Sequence, residues 1–90
     1  MMVETSAFRR AFNKLEDEER SRIAEALAIL PTLFGRPHVH SGLSIRPFGR
    51  FFEFRVGRQL RVLFLFNRDD YVLVTAGDHD AVRAFVKENS

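Results

Sequence analysis

Twelve of the fourteen basic residues are arginine. Seven of these fall between positions 36 and 68, where Glu53 is the sole acid. Guanidinium groups meet phosphate and carboxylate through planar, paired donors, whereas lysine acts as a point charge. A surface carrying Arg36, Arg46, Arg50, Arg55, Arg58, Arg61 and Arg68 suits a polyanion, held by phosphate contacts and by stacking on guanidinium planes. It also suits a solvated sheet face paired with acids from the chain ends, or an acidic protein partner. The flanks are indeed acidic. Residues 1–35 carry a net −1 and residues 69–90 a net −3, against +6 between them, so the overall +2 hides a segregation.

Arg55 and Arg61 stand in otherwise apolar stretches, where a buried charge needs a partner. Either they pair with Glu53, Asp78 or Asp80, or they face a phosphate and stabilise charge that builds on it during transfer. Glu53 is correspondingly a general base or a charge mate for Arg55. His79 lies between Asp78 and Asp80. An imidazole there can serve as general acid or base, or simply begin a helix. His38 and His40 form an HxH pair that with His79 has metal-binding potential. The stretch follows Pro37 and reads as loop, so no metal or other cofactor is assigned. Most of the ten Phe residues are core material; an exposed Phe48 or Phe51 can stack on a base, and Tyr71 packs or borders the sheet. There is no glycine-rich phosphate loop, GxSxG or HExxH.

These groups need a scaffold. Phe8, Phe12 and Leu15 recur at helical spacing, and Ser6 is a candidate cap. The stripe lapses through Glu16 to Arg20 and resumes at Ile23, Leu27, Leu30 and Phe34, which reads as two helices joined near Glu16–Asp17. Pro31 perturbs the last turn, and Gly35 with Pro37 ends the segment. Met2 to Thr5 forms a short leading strand. From Leu43 the period is two. Gly49–Arg50, Gly57 to Gln59 and Asn67 to Asp70 are turns between strands. Tyr71 to Ala76 is the last strand, and Asp78 or Asp80 caps a final helix with Val82, Phe85 and Val86 inward. The predicted order is β-α-α-β-β-β-β-α. This is an α+β fold: an N-terminal helical hairpin on a mainly antiparallel sheet of four or five strands, with a short C-terminal helix. The stretch Leu60–Phe66 is apolar on both faces and should be central. Arg55 and Arg61 are expected on the uncovered part of the second face.

Ninety residues make one domain, 1–90. Without cysteine there is neither a disulfide scaffold nor a thiolate zinc site. The longest apolar run, Val62 to Phe66, is far too short to span a bilayer. No leader is visible, so a cytoplasmic location is expected.

The run HSGLSIRPFGRFFEFRVGRQLRVLFLF, followed by VLVTAGDHDAVRAF, resembles the RelE/ParE superfamily of toxin–antitoxin toxins. The resemblance covers almost the whole chain, and Phe8, Leu15, Ile23 and Leu27 of the helical hairpin share it. It implies a compact toxin fold and, for RelE-like members, ribosome-dependent cleavage of mRNA without a metal, by attack of the 2′-hydroxyl on the adjacent phosphate. By the same resemblance Arg61 falls on the family's strand arginine, Arg55 on a basic position of the preceding strand and His79 on the Arg-or-His position after the last strand. Glu53 stands where RelE itself has a lysine, and Phe85 where RelE-like members often carry a tyrosine. The implied catalytic set is thus Arg55, Arg61, His79 and Glu53, with Arg46, Arg50, Arg58 and Phe85 at the RNA. The implied partners are a cognate antitoxin, the ribosome and its message. ParE-like members bind DNA gyrase instead, and a toxin-like domain that has lost activity is a third possibility.

Overall fold

A threonine joins the first strand to the first helix. In the computed structural model, which describes residues 1–34 and 43–89, Met2–Glu4 form strand β1 and Ser6–Asn13 form helix α1. Thr5, rather than the expected Ser6, caps α1, because Ser6 is already helical. The Thr5 Oγ1 accepts the Phe8 N–H at 3.1 Å and donates to the Leu73 carbonyl at 2.8 Å. One hydroxyl thereby satisfies a helix-end donor and ties the helix to the sheet.

Helix α2 spans Asp17–Leu33. The break before it needs no glycine. The Lys14 and Leu15 N–H groups fold back onto the Ala11 and Phe12 carbonyls, and the Glu19 side chain accepts the Glu16 N–H at 3.0 Å. Asp17, Glu18 and Glu19 fill the first turn, at the positive end of the helix dipole. Arg20 fastens the joint by donating to the Asn13 and Leu15 carbonyls and pairing with Asp17. Pro31 sits inside α2, which continues past it to Leu33. Its ring is on the solvent side and removes one hydrogen bond without stopping the last turn. Gly35 and Pro37, like Arg36 and the His38–His40 pair, lie outside the described residues.

Strands β2 (Leu43–Phe48), β3 (Phe51–Val56), β4 (Leu60–Asn67) and β5 (Asp70–Gly77) lead into helix α3 (His79–Glu88). The sheet order is β1-β5-β4-β3-β2. β2 to β5 form an antiparallel meander, and β1 adds in parallel beside β5 with Met2 opposite Tyr71. This is the α+β fold that the periodicities predict. Strand β4 is central and Leu60 to Phe64 are all buried. On one face Phe54, Val62, Phe64 and Leu73 pack with Phe8, Ile23, Leu30 and Leu33 from α1 and α2. On the other, Phe51, Leu63 and Val74 lie with Val82 and Val86 of α3.

Two details shape the second face. Leu63 pairs with Thr75 and Phe64 with Leu73, so β5 carries Val74 as an extra residue at a bulge. Val74 stays on the α3 side while Ala76 joins the other core. At the β2–β3 turn, Gly49 has φ +62°, and a Cβ there would lie 2.8 Å from Val86 Cγ1. The hairpin and α3 approach each other closely because that position has no side chain.

Candidate nucleic-acid interface

Antiparallel register turns the period-two pattern into rows across the second face. One row runs Ser44–Arg55–Arg61–Gly77 through β2, β3, β4 and β5. The neighbouring row runs Arg46–Glu53–Leu63–Thr75. Beyond it, Phe48 faces Phe51 next to the β2–β3 turn.

The two arginines of the first row differ. Arg55 is exposed and, among the described residues, has no ion pair or side-chain hydrogen bond. Arg61 is 7% exposed, not at the open surface that its alternation suggested. Its Nη1 donates to the Arg58 carbonyl at 3.0 Å and the Leu60 carbonyl at 3.2 Å. Its Nε lies 3.7 Å from Glu53 Oε2. The long stem covers the sheet while the head bends back to the β3–β4 hairpin.

Glu53 has no exposed surface. It accepts a hydrogen bond from Arg46 Nε on Oε1 at 2.8 Å, and Arg61 flanks Oε2. It is therefore a charge mate, but of Arg46 and Arg61 rather than Arg55. A carboxylate placed there meets no outside hydroxyl unless its neighbours move. Two guanidiniums around one buried carboxylate also explain how β2 to β4 hold Arg46, Glu53 and Arg61 side by side on one face.

The first row ends at Gly77, two residues before His79. His79 is the exposed first residue of α3. Asp78 is the cap, its Oδ1 accepting the Ala81 N–H at 2.8 Å, and Asp80 lies in the first turn. Strand spacing puts the Arg55 backbone roughly 10 Å from Gly77. Arg55, Arg61 and the start of α3 are thus brought together. Arg58 joins them through the hairpin, where Leu43, Ser44, Arg55, Gly57 and Arg58 line a cleft of about 340 Å³. Ser44 is the member of this group that sequence reasoning missed. Its signal was the shared parity with Arg46 on the same strand.

Arg50 stands at the other end of β3. Its guanidinium carbon lies 5.2 Å from the Phe51 ring centroid, and Phe51 meets Phe85 at 5.8 Å between centroids. Phe51 is buried, while Phe48 and Phe85 are half-buried. Tyr71 packs in an aromatic cluster with Phe34, Phe64 and Phe66. A larger open groove, about 710 Å³, runs between α1 and α3 along the end of β5, with Arg10, Lys14, Asp78, Phe85 and Glu88 in its walls. Among the described residues no group of three or more acidic or histidine side chains is placed to hold a metal ion. None of the described helices is long and apolar enough to cross a membrane.

Several solved structures share this architecture, toxins and toxin–antitoxin complexes among them. YafQ from Escherichia coli strain BL21(DE3) superposes with a TM-score of 0.72 at 7% identity, over 91% of this chain and 96% of YafQ. A copper-bound mutant toxin from Helicobacter pylori gives 0.67 at 17% identity, over 90% and 96%. The RelB-RelE antitoxin-toxin complex of Methanococcus jannaschii gives 0.63 at 14% identity, over 92% and 96%. No protein-family model matches the sequence, and no curated protein matches it. The chain has the fold of RelE-like toxins, as its sequence resemblance implied.

Proposed function

We propose that this protein is the toxin of a toxin–antitoxin pair and that it cleaves mRNA on the ribosome. The observation that carries this is the row Ser44–Arg55–Arg61–Gly77, which sets an exposed guanidinium beside the helix that begins with His79. In the proposed reaction the RNA 2′-oxygen attacks the neighbouring phosphorus and the bond to the 5′-oxygen breaks. The 2′-hydroxyl proton passes to solvent, and the leaving 5′-oxygen takes a proton from His79 acting as general acid. Arg55 stabilises the charge that builds on the phosphoryl oxygens. Arg61 holds the Arg58 hairpin beside it, and Glu53 is a positioning residue for Arg46 and Arg61. Arg46, Arg50, Arg58 and Phe85 line the path of the message. No step requires a metal cofactor.

The partner is a cognate antitoxin, and the protein acts in the cytoplasm. Two of the solved neighbours are RelB-RelE and RelE-RelB complexes, which supports a partner of that kind. The groove between α1 and α3 suits a partner segment, since Asp78 and Phe85 in its walls adjoin the site. The gyrase-binding alternative draws no support from these neighbours.

The test is brief induction followed by mapping of mRNA 5′ ends, with a gyrase supercoiling assay in parallel. New ends in frame on translated messages support the proposal. Gyrase poisoning without such ends supports the alternative, and neither outcome leaves a toxin-like binding domain.

A further inference from the structure

We propose that the Arg46 guanidinium is a stacking plate for an unpaired RNA base, set in place by Phe48 and the buried Glu53. The inference rests on the RNA reading above and assigns a nucleobase site separate from the phosphate-facing row. An exposed arginine ordinarily swings freely. Here one edge is pinned, because Nε donates to Glu53 Oε1 at 2.8 Å. One face is backed, because Cζ lies 5.6 Å from the Phe48 ring centroid. The side chain nevertheless stays 54% exposed, while Glu53 is fully buried. The result is a planar group with one outward face and little conformational freedom left to lose on binding.

Charge separates this plate from the phosphate row. Glu53 lies against Arg46 and offsets much of its charge, whereas Arg55 has no such partner among the described residues. Arg46 is thus suited to stacking more than to attracting phosphate. Arg50 repeats the arrangement across the turn, over Phe51, which is itself backed by Phe85. Two aromatic-backed guanidiniums flank one hairpin, and successive bases can stack on them whatever their identity.

The experiment uses ribosomes programmed with a message that carries a 2′-O-methylated, uncleavable codon containing 2-aminopurine. Wild-type protein is expected to quench the base on binding. Arg46→Lys and Arg50→Lys keep the charge and lose the plane. Each should quench less and bind roughly 5- to 100-fold more weakly than wild type, with an unchanged salt dependence. Arg50 is an exposed turn residue outside every ion pair seen among the described residues, so its replacement tests stacking on the second plate without touching Glu53. Lysine variants that bind and quench like wild type mean phosphate contact, and overturn the proposal. Failure of the RNA reading looks different: wild type too then binds no programmed ribosome, which overturns both.

Discussion

Arg55 and Arg61 are directly opposed across β3 and β4, yet one guanidinium is in solvent and the other keeps only 7% exposure. Like charges opposite one another on a sheet repel. The pair is tolerated because Arg61 turns away, toward the Arg58 and Leu60 carbonyls and the carboxylate of Glu53. Alanine at these two positions should therefore fail for different reasons.

Arg55→Ala is expected to abolish growth inhibition while moving Tm by no more than about 3 °C, as for other surface substitutions. The check is growth after induction at matched expression, with thermal unfolding of the purified variant. Full toxicity at equal protein level would remove Arg55 from the site.

Arg61→Ala should cost about 2–4 kcal/mol of stability, because it strips one cation from a buried carboxylate and leaves two carbonyls without their donor. The urea midpoint should fall at constant slope. A midpoint equal to that of wild type would show that the Arg61 head carries no structural load.

His79→Ala is expected to slow single-turnover cleavage on programmed ribosomes by about 10²–10⁴-fold. Helix α3 should survive, since its cap is Asp78 and the imidazole is exposed. An unchanged rate would exclude the general-acid role.

Gly49→Ala should lower stability by roughly 1–3 kcal/mol, combining a left-handed backbone with a clash against Val86. Val86→Ala should relieve the clash but not the backbone part, so the double variant should lose less than the sum. Strict additivity would place the cost in the turn alone.

The strands were legible because the apolar period of two is long and the turns are marked by Gly49 and Gly57. The chain also announces that Arg55 and Arg61 share a face. It does not announce that one is buried, because exposure follows from where α3 lies and from which carbonyls the Arg61 head can reach. Glu53 shows the same limit. Sequence offers both Arg55 and Arg61 as its mates; Arg61, across it on β4, is one, but the second is Arg46 on β2 rather than Arg55 on the same strand. Ser6 is a candidate cap by residue type, but Thr5 suits the role equally. Only the sheet decides, by offering Thr5 the Leu73 carbonyl as well. The bulge at Val74 left no mark in the pattern, since Val74 and Thr75 are both ordinary strand residues.

The parallel pairing of β1 with β5 sets an order on synthesis. Met2 meets Tyr71 and Glu4 meets Leu73, so β1 has no partner strand until β5 has been made. Contacts this distant in sequence slow folding. The row from Ser44 to Gly77 is completed by the same final strand. A nascent chain therefore cannot assemble the row from Ser44 to Gly77 before β5 has been made.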